Sequence, residues 1–500
     1  MSTKGHRVAR NALLNFAGQC VLLVIGVWAL PVIARGLGTD RFGVLMLSLA
    51  VLSYLTLFDL GLSRAIVKLA AESFSKDEHS RIARITWTAQ ALLLLFGAAG
   101  GVLLVVFTYL FAGRAFAIPA ALFEETRRTF VIVALTVPII TCATGFQGLF
   151  QALQRFDLVN AVRTANGAAK LLLLVLMAYA GWRLPAIALA LLLVEVARLL
   201  AYLIIALTVV PSLRRVSLER GALRELTRFG SWLSVSTVAG VTIAYLDRFL
   251  IASLLGMSAL SHYAIPAEVI GRLWITVTAV TAALFPVFSA DTSARTVEIY
   301  AHAMRLTLLV VMPVAIVLTV FGGELMTLWT GPAFAAQAGR VLQLLAPGFA
   351  IGAAGRIAQN YVLALGYPDV MAKFHLIELG LFGFLAVVLT RAMKIDGMAL
   401  AWTLRTAVET GFVLAVLRAK HPQVASALTR WGIAHVFSAG ALLLIVTVAV
   451  KLTAVRPLLM LGVAALCVGG FGLAAWQVVL YPSERAALLA AVNFWRRPVS

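Results

Sequence analysis

Long apolar segments recur along this sequence from one end to the other. A helix needs about 20 mainly apolar residues to cross the hydrocarbon core of a bilayer, and open strands cannot satisfy their backbone hydrogen bonds there. Hydrophobic residues make up 62% of the 500 residues and charged residues only 12%, whereas ordinary soluble proteins contain about 25% charged residues. The sequence therefore predicts an all-α, polytopic membrane protein.

Fourteen segments are predicted to cross the membrane. They lie near residues 10–35, 41–70, 85–111, 128–152, 158–180, 185–210, 229–254, 259–289, 304–329, 338–365, 371–392, 397–419, 432–452 and 458–481. Basic residues precede the first segment, as they do in a signal peptide, but its apolar run continues to Ala34 and is too long for one. We expect this segment to remain as the first membrane helix. The loops are short, so no soluble catalytic domain is expected.

Lysine and arginine are distributed unevenly between alternate loops. With the N-terminus in the cytoplasm, about two thirds of the loop cations lie on the inner side, so the positive-inside rule predicts cytoplasmic N- and C-termini. A net charge of +20 would suggest nucleic acid as the partner of a soluble protein. Here it is interpreted as the charge of cytoplasmic loops that contact anionic membrane lipids, and no nucleic-acid partner is predicted.

Two pairs of short stretches indicate an internal repeat. RGLGTDRFG at 35–43 corresponds to SLLGMSALS at 253–261, and QGLFQALQRFD at 147–157 corresponds to QNYVLALGYPD at 359–369. They predict two related six-helix lobes, a plan in which transporters place the substrate between the halves. The predicted divisions are an N-lobe at 1–210, a cytoplasmic linker at 211–228, a C-lobe at 229–419, two further helices within 420–481 and a cytoplasmic tail at 482–500.

Basic residues inside the predicted helices need an explanation, because each ionised group costs about 2.5–3.5 kcal/mol at the centre of a membrane helix. Arg64, Lys68 and Glu72 share one face of predicted helix 2. Arg163 and Lys170 lie on nearly the same face of predicted helix 5. The alternative for Arg64, Lys68 and Arg163 is that their side chains reach back to the membrane interface. For Lys170 the alternative is an interhelical salt bridge.

Other charges have an opposite partner at helical spacing and are interpreted first as structural pairs. These are Glu195 with Arg198, Glu268 with Arg272, and Arg405 with Glu409. Once they are set aside, the first half keeps unpaired positive charge, whereas the second half is balanced. Cations in a hydrated membrane cavity favour an anionic substrate such as a phosphate. The predicted substrate-binding residues are Arg64, Lys68, Arg163, Lys170, Arg198 and Arg356.

Carboxylates inside the predicted helices are candidates for coupling transport to a proton or sodium gradient, because burial can move their pKa toward neutrality. The alternative is that each balances a nearby arginine. The four candidates are Asp59, Asp247, Glu268 and Glu378. No catalytic residue, metal ligand or cofactor is predicted, since the seven histidines are scattered without a pair at metal-ligand spacing.

Several stretches resemble polysaccharide flippases of the MOP superfamily, the Wzx-like group. They are LPVIARGLGTDRFGVLMLSLAVLSYLTLFDLGLSRAIVKLAAE (Leu30–Glu72), YLDRFLIASLLGMSALSHYAIPAEVIGRLW (Tyr245–Trp274), TAALFPVFS (Thr281–Ser289) and LWTGPAFAAQAGRVLQLLAPG (Leu328–Gly348). The resemblance covers most of predicted helices 1 to 10. It implies two six-helix lobes around a central cavity that opens alternately to either side, plus two extra helices.

The resemblance also implies a substrate and a location. The substrate would be an oligosaccharide on undecaprenyl diphosphate, moved from the cytoplasmic to the periplasmic leaflet of the bacterial inner membrane, with a glycan polymerase and other assembly proteins as candidate partners. A multidrug or small-organic-ion exporter of the MATE type is the alternative on the same fold, although it would favour an acidic cavity. A membrane-embedded glycan-processing enzyme is less favoured, because such enzymes generally need a sizeable outer loop or a polar cluster with an acid or base.

Overall fold

The computed structural model describes residues 22–290, 294–430 and 432–453, with scattered residues between 462 and 472. In these ranges the regular structure is helical and contains no strand, and 10 helices are long and apolar enough to cross a membrane. The predicted all-α polytopic class is confirmed. The count of fourteen stays a prediction, because part of the segment at 10–35 and most of the segment at 458–481 lie outside the described residues.

Long helices joined by short turns make up nearly all of the described chain. They are α1 (Leu22–Leu37), α2 (Thr39–Leu55), α3 (Leu62–Ser75), α4 (His79–Leu110), α5 (Ala112–Ala115), α6 (Phe123–Ala152), α7 (Phe156–Tyr179), α8 (Leu184–Val209), α9 (Arg220–Leu254), α10 (Met257–Ala290), α11 (Ala294–Thr330), α12 (Pro332–Ala364), α13 (Pro368–Lys420), α14 (Gln423–Arg430) and α15 (Ile433–Thr453). Helix α13 is interrupted at Lys394, whose φ of 55° and ψ of −136° are not helical. The two predicted helices at 371–392 and 397–419 lie on either side of this residue.

The chain divides into two compact units, Met1–Ala264 and Ile265–Ser500. In the first unit α3, α4, α6 and α8 enclose an apolar core that includes Ile66 and Phe146. In the second unit α11, α12 and α13 pack in succession, and α15 packs on α11. Helix α9 begins at Arg220, within the predicted linker at 211–228. The predicted lobe boundaries stay a prediction.

Each predicted pair of repeated stretches forms equivalent turns between helices. Gly38 (φ 75°) separates α1 from α2, and Gly256 (φ 91°) separates α9 from α10. Gln154 (φ 56°) separates α6 from α7, and Gly366 (φ 86°) separates α12 from α13. A left-handed residue ends a helix by turning the chain away from its axis, and glycine adopts it without steric cost. Both members of each pair thus contain a residue of positive φ between two helices, and the repeat itself stays a prediction.

The prediction of one continuous helix at 41–70 is wrong. Between α2 and α3 lie a short 3-10 turn, Thr56–Asp59, and two left-handed residues, Leu60 (φ 46°) and Gly61 (φ 73°). Oδ1 of Asp59 accepts hydrogen bonds from the backbone N–H of Ser63 (3.1 Å) and from its hydroxyl (2.8 Å). The helix breaks here because Gly61 tolerates positive φ and Asp59 satisfies a backbone donor in the first turn of α3.

Candidate functional site

A buried carboxylate joins two basic side chains from neighbouring helices of the first unit. The ammonium group of Lys170 on α7 forms an ion pair with Oε1 of Glu195 on α8. Nη2 of Arg198, one turn further along α8, lies 2.6 Å from Oε2 of the same carboxylate. The side chain of Glu195 is 2% exposed, whereas those of Lys170 and Arg198 are 31% and 12% exposed. Glu195 therefore serves as the shared counter-ion of two cations.

This arrangement confirms one sequence prediction and corrects another. The predicted pairing of Glu195 with Arg198 is confirmed. The expectation that Lys170 is an unpaired cation is wrong, because α7 packs against α8 and brings Lys170 to the same carboxylate. One carboxylate offsets only one of the two positive charges, so this triad keeps a formal charge of +1.

Arg163 extends the positive charge along α7. Its Nη2 donates a hydrogen bond to Oδ1 of the neutral side chain of Asn160 (3.1 Å). Tyr202 on α8 is fully buried and lies near Arg163, Arg198 and Glu195. These contacts define an α7–α8 cationic cluster made of Arg163, Lys170, Glu195 and Arg198. Three positive groups and one negative group give it a formal charge of +2, which suits an anion.

The predicted stripe on helix 2 lies on α3. Arg64, Lys68 and Glu72 are all exposed and share one face, opposite the buried face that includes Ala65 and Ile66. The predicted common face is therefore confirmed. Lys68 Nζ and Glu72 Oε1 are 4.0 Å apart, an exposed pair of the kind that contributes little to stability. A role for Arg64 and Lys68 in substrate binding stays a prediction.

A second polar network lies in the second unit, around the buried carboxylate of Glu378 on α13. Arg405 Nη1 donates to Glu378 Oε1 at 2.7 Å, and His375 Nδ1 lies 2.8 Å from Oε2. Nε2 of His375 is 3.2 Å from Nε2 of Gln359 on α12, whose Oε1 accepts a hydrogen bond from Arg356 Nη1 at 3.4 Å. The structure thus brings two predicted site residues, Arg356 and Glu378, into one network.

Sequence reasoning identified only part of this network. The predicted pair of Arg405 with Glu409 is present at 3.8 Å, but Arg405 is closer to Glu378. His375 and Gln359 were missed, although His375 and Glu378 are spaced three residues apart on one helix. Ligand atoms of His375, Glu378 and Glu409 lie within 4.8 Å of one another, as in a metal site. Arg405 Nη1 lies close to both carboxylates of this group, 2.7 Å from Glu378 and 3.8 Å from Glu409.

The remaining predicted coupling residues have the following surroundings. Asp247 on α9 is buried and accepts hydrogen bonds from the hydroxyl of Tyr263 (2.8 Å) and the backbone N–H of Arg248 (2.7 Å). Glu268 occupies a half-buried position on α10, one turn before Arg272. Asp59 holds the start of α3, as described above. The coupling role of all four carboxylates stays a prediction.

Solved structures share this arrangement of helices. An inward-facing multidrug resistance MATE family transporter of the MOP superfamily superposes with a TM-score of 0.71 at 13% identity, covering 83% of this chain and 98% of that one. The lipid II flippase MurJ, in an inward closed conformation, superposes with a TM-score of 0.71 at 11% identity, covering 92% of this chain and 98% of that one. The protein therefore has the fold of MOP-superfamily membrane transporters.

The sequence comparisons identify the family. A putative O-antigen transporter of Shigella flexneri is 24% identical over 406 residues, which are 80% of this chain and 94% of that protein. Residues 32–338 match the family described as polysaccharide biosynthesis protein, and the chain belongs to that family. The predicted likeness to polysaccharide flippases is confirmed. The relative and both structural neighbours are named as transporters or a flippase, in agreement with the expectation that this protein is not an enzyme.

Proposed function

We propose that this protein is a flippase for an oligosaccharide carried on undecaprenyl diphosphate, which it moves from the cytoplasmic to the periplasmic leaflet of the bacterial inner membrane. Family membership and the names of two similar proteins, an O-antigen transporter and a lipid II flippase, support this assignment. The observation that carries the proposal is the α7–α8 cationic cluster, because retaining net positive charge within membrane helices is costly without a function.

The cluster is suited to bind a diphosphate transiently during transport. Burying three cations without a carboxylate would carry a large desolvation cost, and the ion pairs with Glu195 lower that cost. The remaining positive charge attracts the diphosphate, whose phosphates each carry a negative charge. Lys170 is the most exposed member of its triad and so the first to reach an arriving phosphate. Arg64 and Lys68 on the exposed face of α3, together with Arg356, would add to the attraction.

The glycan and the lipid tail of the substrate place further requirements on the transport path. Sugar hydroxyls are costly to desolvate without hydrogen-bond partners, so the glycan needs a hydrated path between alternately opening lobes. The lipid tail stays in the bilayer, and no covalent bond is made or broken. Cytoplasmic termini, coupling through Asp59, Asp247, Glu268 or Glu378, and a glycan polymerase as partner are further parts of this proposal.

Reconstitution into liposomes with a fluorescent lipid-linked oligosaccharide tests the proposal. Lys170→Ala keeps the Arg198–Glu195 pair but removes one positive charge from the cluster, and a charge-assisted hydrogen bond contributes about 1.5–3 kcal/mol. We therefore expect its transport rate at limiting substrate to fall about tenfold or more. Arg163→Ala should act in the same direction. Arg128→Ala, at the start of α6, is the control for the loss of an exposed arginine. Wild-type transport by both cluster variants would refute the proposal.

A multidrug exporter is the second candidate, because the MATE transporter matches this fold as well as the lipid II flippase does, with the same TM-score of 0.71. The sign of the charge separates the two functions, since an organic cation would be repelled by the α7–α8 cationic cluster. Efflux of a fluorescent organic cation from the same liposomes, without movement of the lipid-linked oligosaccharide, would favour this alternative.

A further inference from the structure

A cavity of about 470 Å³ opens at one end of the first unit. It lies where the end of α3, the loop between α6 and α7, and the chain after α8 come together. Its volume falls in the range of about 300–1,000 Å³ that is typical of small-molecule sites. The walls are mainly apolar and include Phe74, Ile82, Leu153, Val210 and Pro211. An apolar interior of this kind suits a hydrocarbon chain better than a free anion.

Two hydrogen bonds join the segments that surround the cavity. The hydroxyl of Ser212 donates a hydrogen bond to the carbonyl of His79 (2.9 Å), which joins two lining segments. Nε1 of Trp87 donates to the carbonyl of Leu213 (3.0 Å), next to the lining residues. Contacts of this kind order the walls without a ligand, which lowers the ordering cost of binding.

The rim of the cavity is basic. Arg155 and His79 line it, and each lies 2.9 Å from an aspartate, the half-buried Asp157 and the exposed Asp77 respectively. An exposed ion pair such as that of Arg155 with Asp157 is weak, so a phosphate can compete for the guanidinium group of Arg155. Arg214 and Arg215 are exposed and lie two and three residues after Ser212, the last lining residue of this segment. In the described residues neither forms an ion pair with a carboxylate, so their charge is available to an anionic group near the rim.

We propose that this cavity binds an anionic phospholipid, with part of one acyl chain between the apolar walls and the phosphate at the basic rim. The charge of the rim selects an anionic headgroup, and the apolar walls select a lipid rather than free phosphate. The loops that form the cavity are those expected to face the cytoplasm, where anionic lipids attract basic protein surfaces. This lipid site is independent of the α7–α8 cationic cluster and of the proposed transport activity.

Binding of short-chain lipids to the full-length protein in detergent tests both halves of the proposal. Dioctanoylphosphatidylglycerol should bind more tightly than dioctanoylphosphatidylcholine, because only the former carries net negative charge. It should also bind more tightly than dihexanoylphosphatidylglycerol, by about fourfold for each methylene removed from the chain in the cavity. Inorganic phosphate should bind far more weakly than either phosphatidylglycerol. Equal binding of the two headgroups, no dependence on chain length, or phosphate binding as tight as lipid binding would each overturn the proposal.

Two variants test whether the lipid binds in this cavity. Leu153→Trp narrows the cavity, and it should weaken dioctanoylphosphatidylglycerol binding at least tenfold. Arg214→Gln combined with Arg215→Gln should remove the preference for phosphatidylglycerol over phosphatidylcholine. The matched control is Arg127→Gln with Arg128→Gln, an adjacent arginine pair at the opposite end of α6, which should keep that preference. Wild-type binding and selectivity in both cavity variants would overturn the assignment, and the comparison of lipids on the unaltered protein needs no variant.

Discussion

Replacing Glu195 by glutamine is the most direct test of the α7–α8 cationic cluster. The substitution keeps the shape of the side chain but removes the negative charge that Lys170 and Arg198 share. Both cations then lie close together with only a neutral amide between them. We expect the protein to lose stability because two charges that are half or mostly buried lose their counter-ion.

The size of the loss follows from the burial of the three side chains. Removing one partner of a buried ion pair costs about 3–5 kcal/mol. Glu195 is 2% exposed and Arg198 is 12% exposed, so their ion pair should contribute nearly the full free energy of a buried pair. Lys170 is 31% exposed, and water screens its contribution. We therefore expect a decrease of about 3 kcal/mol in the free energy of unfolding, near the lower end of that range.

Unfolding in mixed detergent micelles titrated with sodium dodecyl sulfate measures this change. Glu124→Gln is the matched control, because Glu124 also pairs with two arginines, at 2.9 and 3.0 Å, but at an exposed position. The control should unfold almost as the wild type does, since exposed ion pairs contribute little. Equal stability of the Glu195→Gln and Glu124→Gln variants would refute the view that Glu195 is a buried, shared counter-ion.

Two further predictions concern helix packing and helix capping, and the same unfolding assay checks both. A Cβ atom on Gly43 would lie 1.9 Å from the carbonyl oxygen of Met257, so Gly43→Ala should cost at least about 2 kcal/mol. Gly240→Ala, where no atom lies within 4 Å, should cost nothing and would contradict the steric argument if it matched Gly43→Ala. Asp59→Ala should lose about 1 kcal/mol by removing the acceptor for Ser63. Asp59→Asn keeps an acceptor oxygen and should be stable, so an equal loss in both variants would argue against capping.

The fold could be predicted from the sequence because bilayer thickness sets the length of each apolar segment. The helix boundaries at Gly38 and Gly366 could also be predicted from the sequence, since glycine between two apolar runs is a strong signal for a turn. The break before α3 was missed, although Asp59 and Gly61 are residue types that end and begin helices. Apolar content alone did not reveal it, because the residues around the break are themselves hydrophobic.

The candidate site was harder to predict because its contacts run between helices. Spacing along one helix correctly paired Glu195 with Arg198. It could not show that Lys170 meets the same carboxylate, because that contact depends on how α7 is rotated against α8. The same limit explains why Arg405 was assigned to Glu409 and not to its closer partner, Glu378. A sequence read helix by helix therefore overestimates the number of unpaired charges in a bundle.

The presence of Glu195 within a basic cluster has a consequence for transport. A flippase must bind its cargo on one side and release it on the other, so a site that holds the anion too firmly is slow. An internal carboxylate competes with the diphosphate for Lys170 and Arg198, and it reoccupies them when the cargo leaves. With the proposed substrate, Glu195→Gln should therefore bind the lipid-linked oligosaccharide more tightly and yet transport it more slowly at saturation. Lys170→Ala should weaken binding. A cluster that served only to stabilise the fold would give neither of these opposite shifts in affinity.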